Sequence, residues 1–144
     1  MAIFSQIMYT AHAHTIGGSD VSSGVDDGRL KLALSIPGGV GAGTNPEQLF
    51  AAGYFECFLS AMKAVAGMKK SFFLRILRSM PKLIWVKPAV AVMALLPVWT
   101  SAMPGMDAAA AHDLIDTAHH FCPYSKAMRG SIDVTLTFKP RTQA

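Results

Sequence analysis

Across residues 46–67 the chain offers few positions at which a helix could meet water: Leu49, Phe50, Tyr54, Cys57, Phe58, Ala61, Met62, Ala64 and Val65 cover most of a helical circumference. A helix with so little polar surface cannot lie on the outside of a fold, so it is expected to be central and buried on most sides. Its start is marked locally. Thr44 or Asn45 can cap it, Pro46 suits the first turn because its missing N–H would have had no intrahelical partner, and the Glu47 carboxylate suits the positive end of the helix dipole. At 144 residues the chain is one domain's worth of sequence, long enough to bury such a core without disulfide or metal staples.

The segments around this helix follow a different period. Met8, Thr10, His12, His14 and Ile16 face away from Tyr9, Ala11, Ala13 and Thr15, and Leu30, Leu32 and Leu34 alternate with Lys31, Ala33 and Ser35. Both read as strands, with the Asp, Ser and Gly cluster between them as a hairpin loop. A second helix is expected to start near Asp107, to carry Leu114, Ile115, Ala118 and Phe121 on one face, and to end at Pro123. The stretch SIDVTLTFK places Ile132, Val134, Leu136 and Phe138 on one face of a closing strand. Antiparallel strands, two central helices and a C-terminal strand make an α+β domain spanning 1–144.

Composition narrows the functional classes. Only 15% of residues are charged against 51% hydrophobic, which fits neither a disordered chain nor a nucleic-acid-binding arm. The net charge of +4 does not imply an anionic partner either, because residues 71–102 hold Arg75, Arg78, Lys82 and Lys87 and no acid, while the other nine basic residues balance nine acidic ones. The opening MAIFSQIMYT has no basic run before an apolar stretch, so no secretory leader is expected and the cytoplasm is the expected compartment. PGGVGAGT lacks the Gly-Lys-Ser/Thr ending of a phosphate loop. His12 and His14 are strand alternation, and His119 and His120 point to different helix faces, so no metal site is expected. Cys57 and Cys122 are too few for a disulfide scaffold or a four-cysteine zinc site; on their number alone they are either a redox pair or two buried, inert thiols.

Two long blocks separate these readings. GAGTNPEQLFAAGYFECFLSAMKAVAG and PGMDAAAAHDLIDTAHHFCPYSKAMRGSIDVTL, in that order, resemble the organic hydroperoxide resistance proteins within the wider family of osmotically inducible proteins, with a weaker match around YTAHAHTIGG. The resemblance covers roughly two-thirds of the chain and implies an intertwined homodimer that acts as a thiol-dependent peroxidase in the response to oxidative stress. It implies that Cys57 is the peroxidatic cysteine, Cys122 the resolving cysteine and Glu47 an active-site carboxylate. The reaction needs a thiolate to attack the peroxide, a second thiol to condense with the sulfenic acid, and an external dithiol, in this family a lipoyl group on a protein, to reopen the disulfide. No bound cofactor is implied. The aliphatic and aromatic lining of the first helix favours the organic tail of a hydroperoxide over hydrogen peroxide.

Three features qualify that expectation. Glu47 and Cys57 are ten residues apart, about 15 Å on an unbroken helix, so a carboxylate in the site must come from a second subunit or the helix must bend, as it could near Gly53. The family places an arginine after the paired glycines, whereas here Gly17 and Gly18 precede Ser19, which leaves Arg29 and Arg129 as substitutes to consider. Glu56 replaces a small family residue immediately before Cys57, and a nearby anion raises a thiol's pKa if its side chain reaches the site. A family member with such changes could also be a catalytically silent binding module.

Residues 71–102 fit neither period, and hold both tryptophans and the three prolines Pro81, Pro88 and Pro97. A window here scores as a membrane span, so a peripheral membrane protein using segment 69–99 is an alternative, although the patterning elsewhere makes a membrane partner unlikely. A shifted reading frame over about 75–101 accounts for the segment better. Taking the third base of one codon with the first two of the next forces Met80-Pro81 to alanine, Trp85-Val86 and Met93-Ala94 to glycine, and Trp99-Thr100 to aspartate. The remaining bases permit two alternating strands around a glycine turn, which the family has between its helices.

Overall fold

The computed structural model of the chain describes residues 6–17, 22–69, 78–79, 85–86, 94–95, 101–102, 106–131, 134 and 136. Its elements are β1 (Ala13–Ile16), β2 (Ser22–Val25), β3 (Lys31–Ala33), α1 (Pro46–Met68), β4 (Arg78–Ser79), β5 (Trp85–Val86), β6 (Ala94–Leu95), β7 (Ser101–Ala102), α2 (Ala108–Phe121) and α3 (Pro123–Met128). The architecture is α+β, as the patterning implies, and the chain divides into two compact units, Met1–Leu49 and Phe50–Ala144.

The first unit is built on an antiparallel sheet of order β1-β2-β3. Ala13 pairs with Val25 and Ile16 with Ser22, and Ser22 pairs in turn with Ala33. The residues expected to form a hairpin loop therefore include the central strand. Serine and glycine favour turns locally, but a middle strand is stabilised by ladders on both sides, and those come from distant backbone. The turn that closes β2 onto β3 has Gly28 at φ +74°, where a side chain would be strained, and its amide donates to the Val25 carbonyl at 3.0 Å. Because the chain turns at Asp26, β2 has no backbone left to pair beyond His12, whose carbonyl accepts from the Asp26 amide at 3.2 Å. The strand expected from Met8 accordingly starts only at Ala13, and residues 6–12 are exposed. After β3, Leu34 bridges in parallel to Thr44, and the chain passes so close that a Cβ on Gly43 would lie 2.6 Å from the Ala33 carbonyl oxygen. The Asn45 side chain then accepts from the Gln48 amide at 2.8 Å, the capping bond its position suggests.

In the second unit α1 packs against α2. Tyr54, Phe55, Phe58, Ala61, Met62, Val65 and Ala66 of α1 form one buried cluster with Ala111, Leu114, Ile115, Ala118 and Cys122. Each large apolar side chain buried here contributes about 1.5–3 kcal/mol relative to its exposed state. The expectation that α1 is buried on most sides holds for this face only: Ala52, Glu56, Ser60, Lys63, Ala64 and Gly67 are exposed. Small residues raise the apolar count of a helix without giving it much surface to bury. By length and composition α1 could cross a membrane, but the core of a water-soluble fold selects the same composition. Exposed Lys69 links the end of α1 to α2 through an ion pair with Asp113 and a 3.3 Å bond to the Thr117 hydroxyl, contacts worth at most about 1 kcal/mol at a surface.

Asp107 caps α2 by accepting from the Ala110 amide at 2.9 Å. Pro123 ends α2 as expected, and also starts α3, in which it occupies the first turn. Between the two helices Cys122 is extended (φ −61°, ψ 126°), the conformation a following proline favours, while its amide still donates to the Ala118 carbonyl at 2.8 Å. Of the expected closing strand, Val134 and Leu136 are described; neither lies in a strand, but both pack on the core and both belong to the face predicted to be apolar. The rest of that strand lies outside the described residues, as do most of residues 71–102. The described pairs there are Arg78 with Ala102, Ser79 with Ser101, Trp85 with Leu95 and Val86 with Ala94. Every pair is symmetric about position 90, so both ladders share one antiparallel register. An apolar hairpin and a pair of frame-restored strands would both pair in this way.

Candidate active site

Cys57 lies in the fourth turn of α1 and Cys122 at the junction of α2 and α3, and their sulfurs are 3.4 Å apart. Both are free thiols, Cys57 partly exposed and Cys122 fully buried. A disulfide needs about 2.05 Å between sulfurs, so closure requires a movement of little more than 1 Å. Two inert core thiols have no need of this approach, and two that exchange bonds do.

The environment of Cys57 favours its protonated form. Burial pushes its thiol above the ordinary range, the main-chain N–H of Tyr124 acts in the opposite direction, and Cys122 and the Glu56 carboxylate push it up further. Glu56 is exposed and accepts from the Ser60 hydroxyl at 3.3 Å, yet its charge still reaches the sulfur. Among the described residues no cation acts on Cys57. Arg29 sits in the β2–β3 turn, paired with Asp27 at 3.5 Å and largely exposed. Arg129 reaches the Nδ1 of His120 at 3.3 Å and the His119 carbonyl at 3.5 Å. Arg129 is thus engaged with the two histidines, and Ser19 lies outside the described residues.

Glu47 is in the first turn of α1, which runs without a break from Pro46 to Met68. Glu47 and Cys57 therefore stay about three turns apart along it. One Glu47 carboxylate oxygen, Oε2, is buried without a hydrogen-bond partner among the described residues. A buried carboxylate oxygen left in this state costs free energy that a donor would recover.

Sequence reasoning missed the side chains that flank the thiols. Tyr54, one turn before Cys57, donates to or accepts from the Ser125 hydroxyl at 3.1 Å, and both residues are buried. The Tyr54 ring stacks on Tyr124 (centroids 6.1 Å, planes 17° apart) and approaches Phe50 at 5.8 Å, which makes an aromatic wall beside the cysteines. Burial pushes the Tyr54 hydroxyl pKa up, and it remains neutral. The i, i+3 relation of Tyr54 to Cys57 and of Cys122 to Ser125 was the available signal. Among the described residues no three His, Cys, Asp or Glu side chains gather in a metal-binding arrangement.

Comparison with known proteins agrees with the motifs. The family described as OsmC-like protein matches residues 38–137. The chain is 43% identical over 147 residues to an organic hydroperoxide resistance protein of Xanthomonas axonopodis pv. citri, covering 95% of this chain and 99% of that one. It is 35% identical to the organic hydroperoxide resistance protein OhrB of Bacillus subtilis, covering 92% and 98%. Among solved structures, an organic hydroperoxide resistance protein OsmC from Legionella pneumophila superposes with a TM-score of 0.84 at 36% identity, covering 93% of this chain and 99% of that one. One from Vibrio cholerae, with captopril bound in one of its active sites, gives 0.83 at 32% identity, covering 93% and 94%. The chain therefore belongs to the OsmC-like family, among its organic hydroperoxide resistance proteins.

Proposed function

We propose that this protein is a thiol-dependent peroxidase that reduces organic hydroperoxides to alcohols. The observation that carries the reading is the 3.4 Å approach of a partly exposed and a buried thiol. The Cys57 thiolate attacks the terminal oxygen of the hydroperoxide; an S–O bond forms, the O–O bond breaks, and the departing alkoxide takes a proton and leaves as the alcohol. Cys122 then attacks the Cys57 sulfenic acid. An S–S bond forms, the S–O bond breaks, and the hydroxide leaves as water with the Cys122 proton. Two thiols are oxidised and one peroxide bond is reduced, and an external dithiol of the lipoyl type reopens the disulfide by exchange. The stacked rings of Phe50 and Tyr124, the latter exposed, support an apolar organic tail as the preferred substrate.

The working unit is a homodimer in the cytoplasm. Ile7, Met8, Tyr9 and Ile16 are 64–85% exposed in a single chain, an apolar surface for a second copy to cover. The active-site carboxylate is the second copy's Glu47, a role supported by its distance along α1 from its own Cys57.

The test is turnover of cumene hydroperoxide and of hydrogen peroxide with dihydrolipoamide as reductant. Wild type is expected to prefer the organic substrate, Cys57→Ser to lose turnover, and Cys122→Ser to complete one round that leaves a dimedone-reactive sulfenic acid. Sustained turnover by Cys57→Ser ends the assignment, and a Cys57 unreactive to peroxide establishes the silent binding module.

A further inference from the structure

We infer that Tyr54 and Ser125 are positioning residues for the resolving step, a buried hydrogen-bonded brace that holds Cys122 against Cys57. The proposal rests on the dithiol peroxidase reading above. Its basis is a symmetry in the packing: Tyr54 precedes Cys57 by three residues on α1, and Ser125 follows Cys122 by three into α3. The same two stretches of chain are thus joined twice, through the sulfurs at 3.4 Å and through the hydroxyls at 3.1 Å.

The brace is built for precision rather than for general stability. Ser125 is 0% exposed and is the buried polar residue in a cluster that is otherwise apolar among the described residues, and Tyr54 is 3% exposed. Within the described side-chain bonds each hydroxyl has the other as its partner, so separating α3 from α1 would strand two buried polar groups, which is costly. The Tyr54 ring is clamped as well, between Phe50, Tyr124 and the edge of Phe58. The hydroxyl therefore projects from a fixed ring, and Ser125 is fixed relative to it.

This matters for one step of the cycle. When Cys122 attacks the Cys57 sulfenic acid, the S–S bond forms as the S–O bond breaks and water leaves; no outside reactant enters, and the rate depends on how often the buried Cys122 sulfur is in line with Cys57. Attack on the peroxide depends instead on the thiolate fraction of Cys57. The groups that shift that thiol are its burial, the Tyr124 amide, Cys122 and Glu56, whereas Tyr54 feels the charge of the two cysteines but stays neutral and so places no charge of its own on Cys57. Loosening the brace should thus slow resolution and weaken the disulfide while leaving peroxide attack unchanged.

The experiment uses full-length wild type, Tyr54→Phe, Ser125→Ala and the double variant, each equilibrated in glutathione redox buffers, with attack and resolution rates from stopped-flow mixing with cumene hydroperoxide. Each single variant is expected to lower the dithiol–disulfide equilibrium constant three- to tenfold, which makes the reduction potential about 15–30 mV less negative. Resolution should slow by a similar factor, with attack within twofold of wild type. The double variant should resemble the single ones rather than their product, because all three remove the same bond. An equilibrium constant and a resolution rate both within twofold of wild type in Tyr54→Phe overturn the inference, even if Ser125→Ala fails to fold. So does a multiplicative double variant, or a variant that slows attack as much as resolution. If wild type itself forms no Cys57–Cys122 disulfide in these buffers, the dithiol reading fails, and that result is distinguishable because it precedes any comparison of variants.

Discussion

Gly53 sits in the interior of α1, where glycine costs about 1 kcal/mol relative to alanine because it gives up more conformational freedom on folding. An alanine there recovers that cost only if its methyl group has room. A Cβ on Gly53 would meet the Tyr124 hydroxyl oxygen at 3.5 Å and its ring carbons at 3.6 and 3.9 Å, ordinary van der Waals contacts that need no rearrangement. Gly53→Ala is therefore expected to stabilise the protein by about 1 kcal/mol. With an unfolding entropy of about 2.1 cal/mol/K per residue, this raises Tm by about 3 °C. The assay is a thermal melt followed by circular dichroism under reducing conditions, run beside the rate of peroxide attack, which should not change because Tyr124 stays in place. Gly53→Val provides the contrast: its branched side chain extends into the Tyr124 ring, and both Tm and attack rate should fall, since the Tyr124 amide faces the Cys57 sulfur. A lower Tm for Gly53→Ala, or attack slowed tenfold by that single methyl, would refute the placement of Tyr124 over a regular helix at this position.

With its thiol pushed up by burial and by Glu56, Cys57 should attack peroxide faster as pH rises, by about tenfold per unit until its pKa is reached, and Ser19→Arg should move that profile to lower pH; a thiolate absorbance titration on the Cys122→Ser background reads both, and an unmoved profile would show that position 19 does not reach the sulfur. The same shift affects stability. The folded pKa of Cys57 lies above its unfolded value, so the contribution is fully present below the ordinary thiol range and is lost as pH rises through the folded value, which urea melts at neutral and alkaline pH on the Cys122→Ser background will register. For the middle segment, a variant carrying the frame-restored strands should be more soluble and melt higher than the present sequence, because alternating strands complete a half-buried sheet whereas Pro81, Pro88 and Pro97 interrupt one. A present sequence that melts cooperatively at the same or a higher temperature, without lipid, would make 71–102 native structure.

Whatever depends on neighbours along the chain was legible in the residues themselves. The Asn45 cap, Pro46 in the first turn and the apolar run after it define α1 to within a residue of its observed end, and Asp107 and Pro123 bound α2, because capping bonds, proline sterics and helical periodicity act over a few residues. The motifs around Cys57 and Cys122 likewise carry the family's signature along the chain. Tertiary structure decided whatever required two distant stretches to meet. β2 is a strand because β1 and β3 flank it, although Ser22, Ser23 and Gly24 on their own describe a turn. Pro123 reads locally as a stop, and the chain beyond it became a helix that delivers Ser125 to Tyr54, 71 residues away. The half-exposed face of α1, the neighbours that raise the Cys57 pKa and the 3.4 Å between the sulfurs share one cause: burial and hydrogen bonding are energies of position in space, and a helical pattern specifies which residues share a face without specifying what that face will touch.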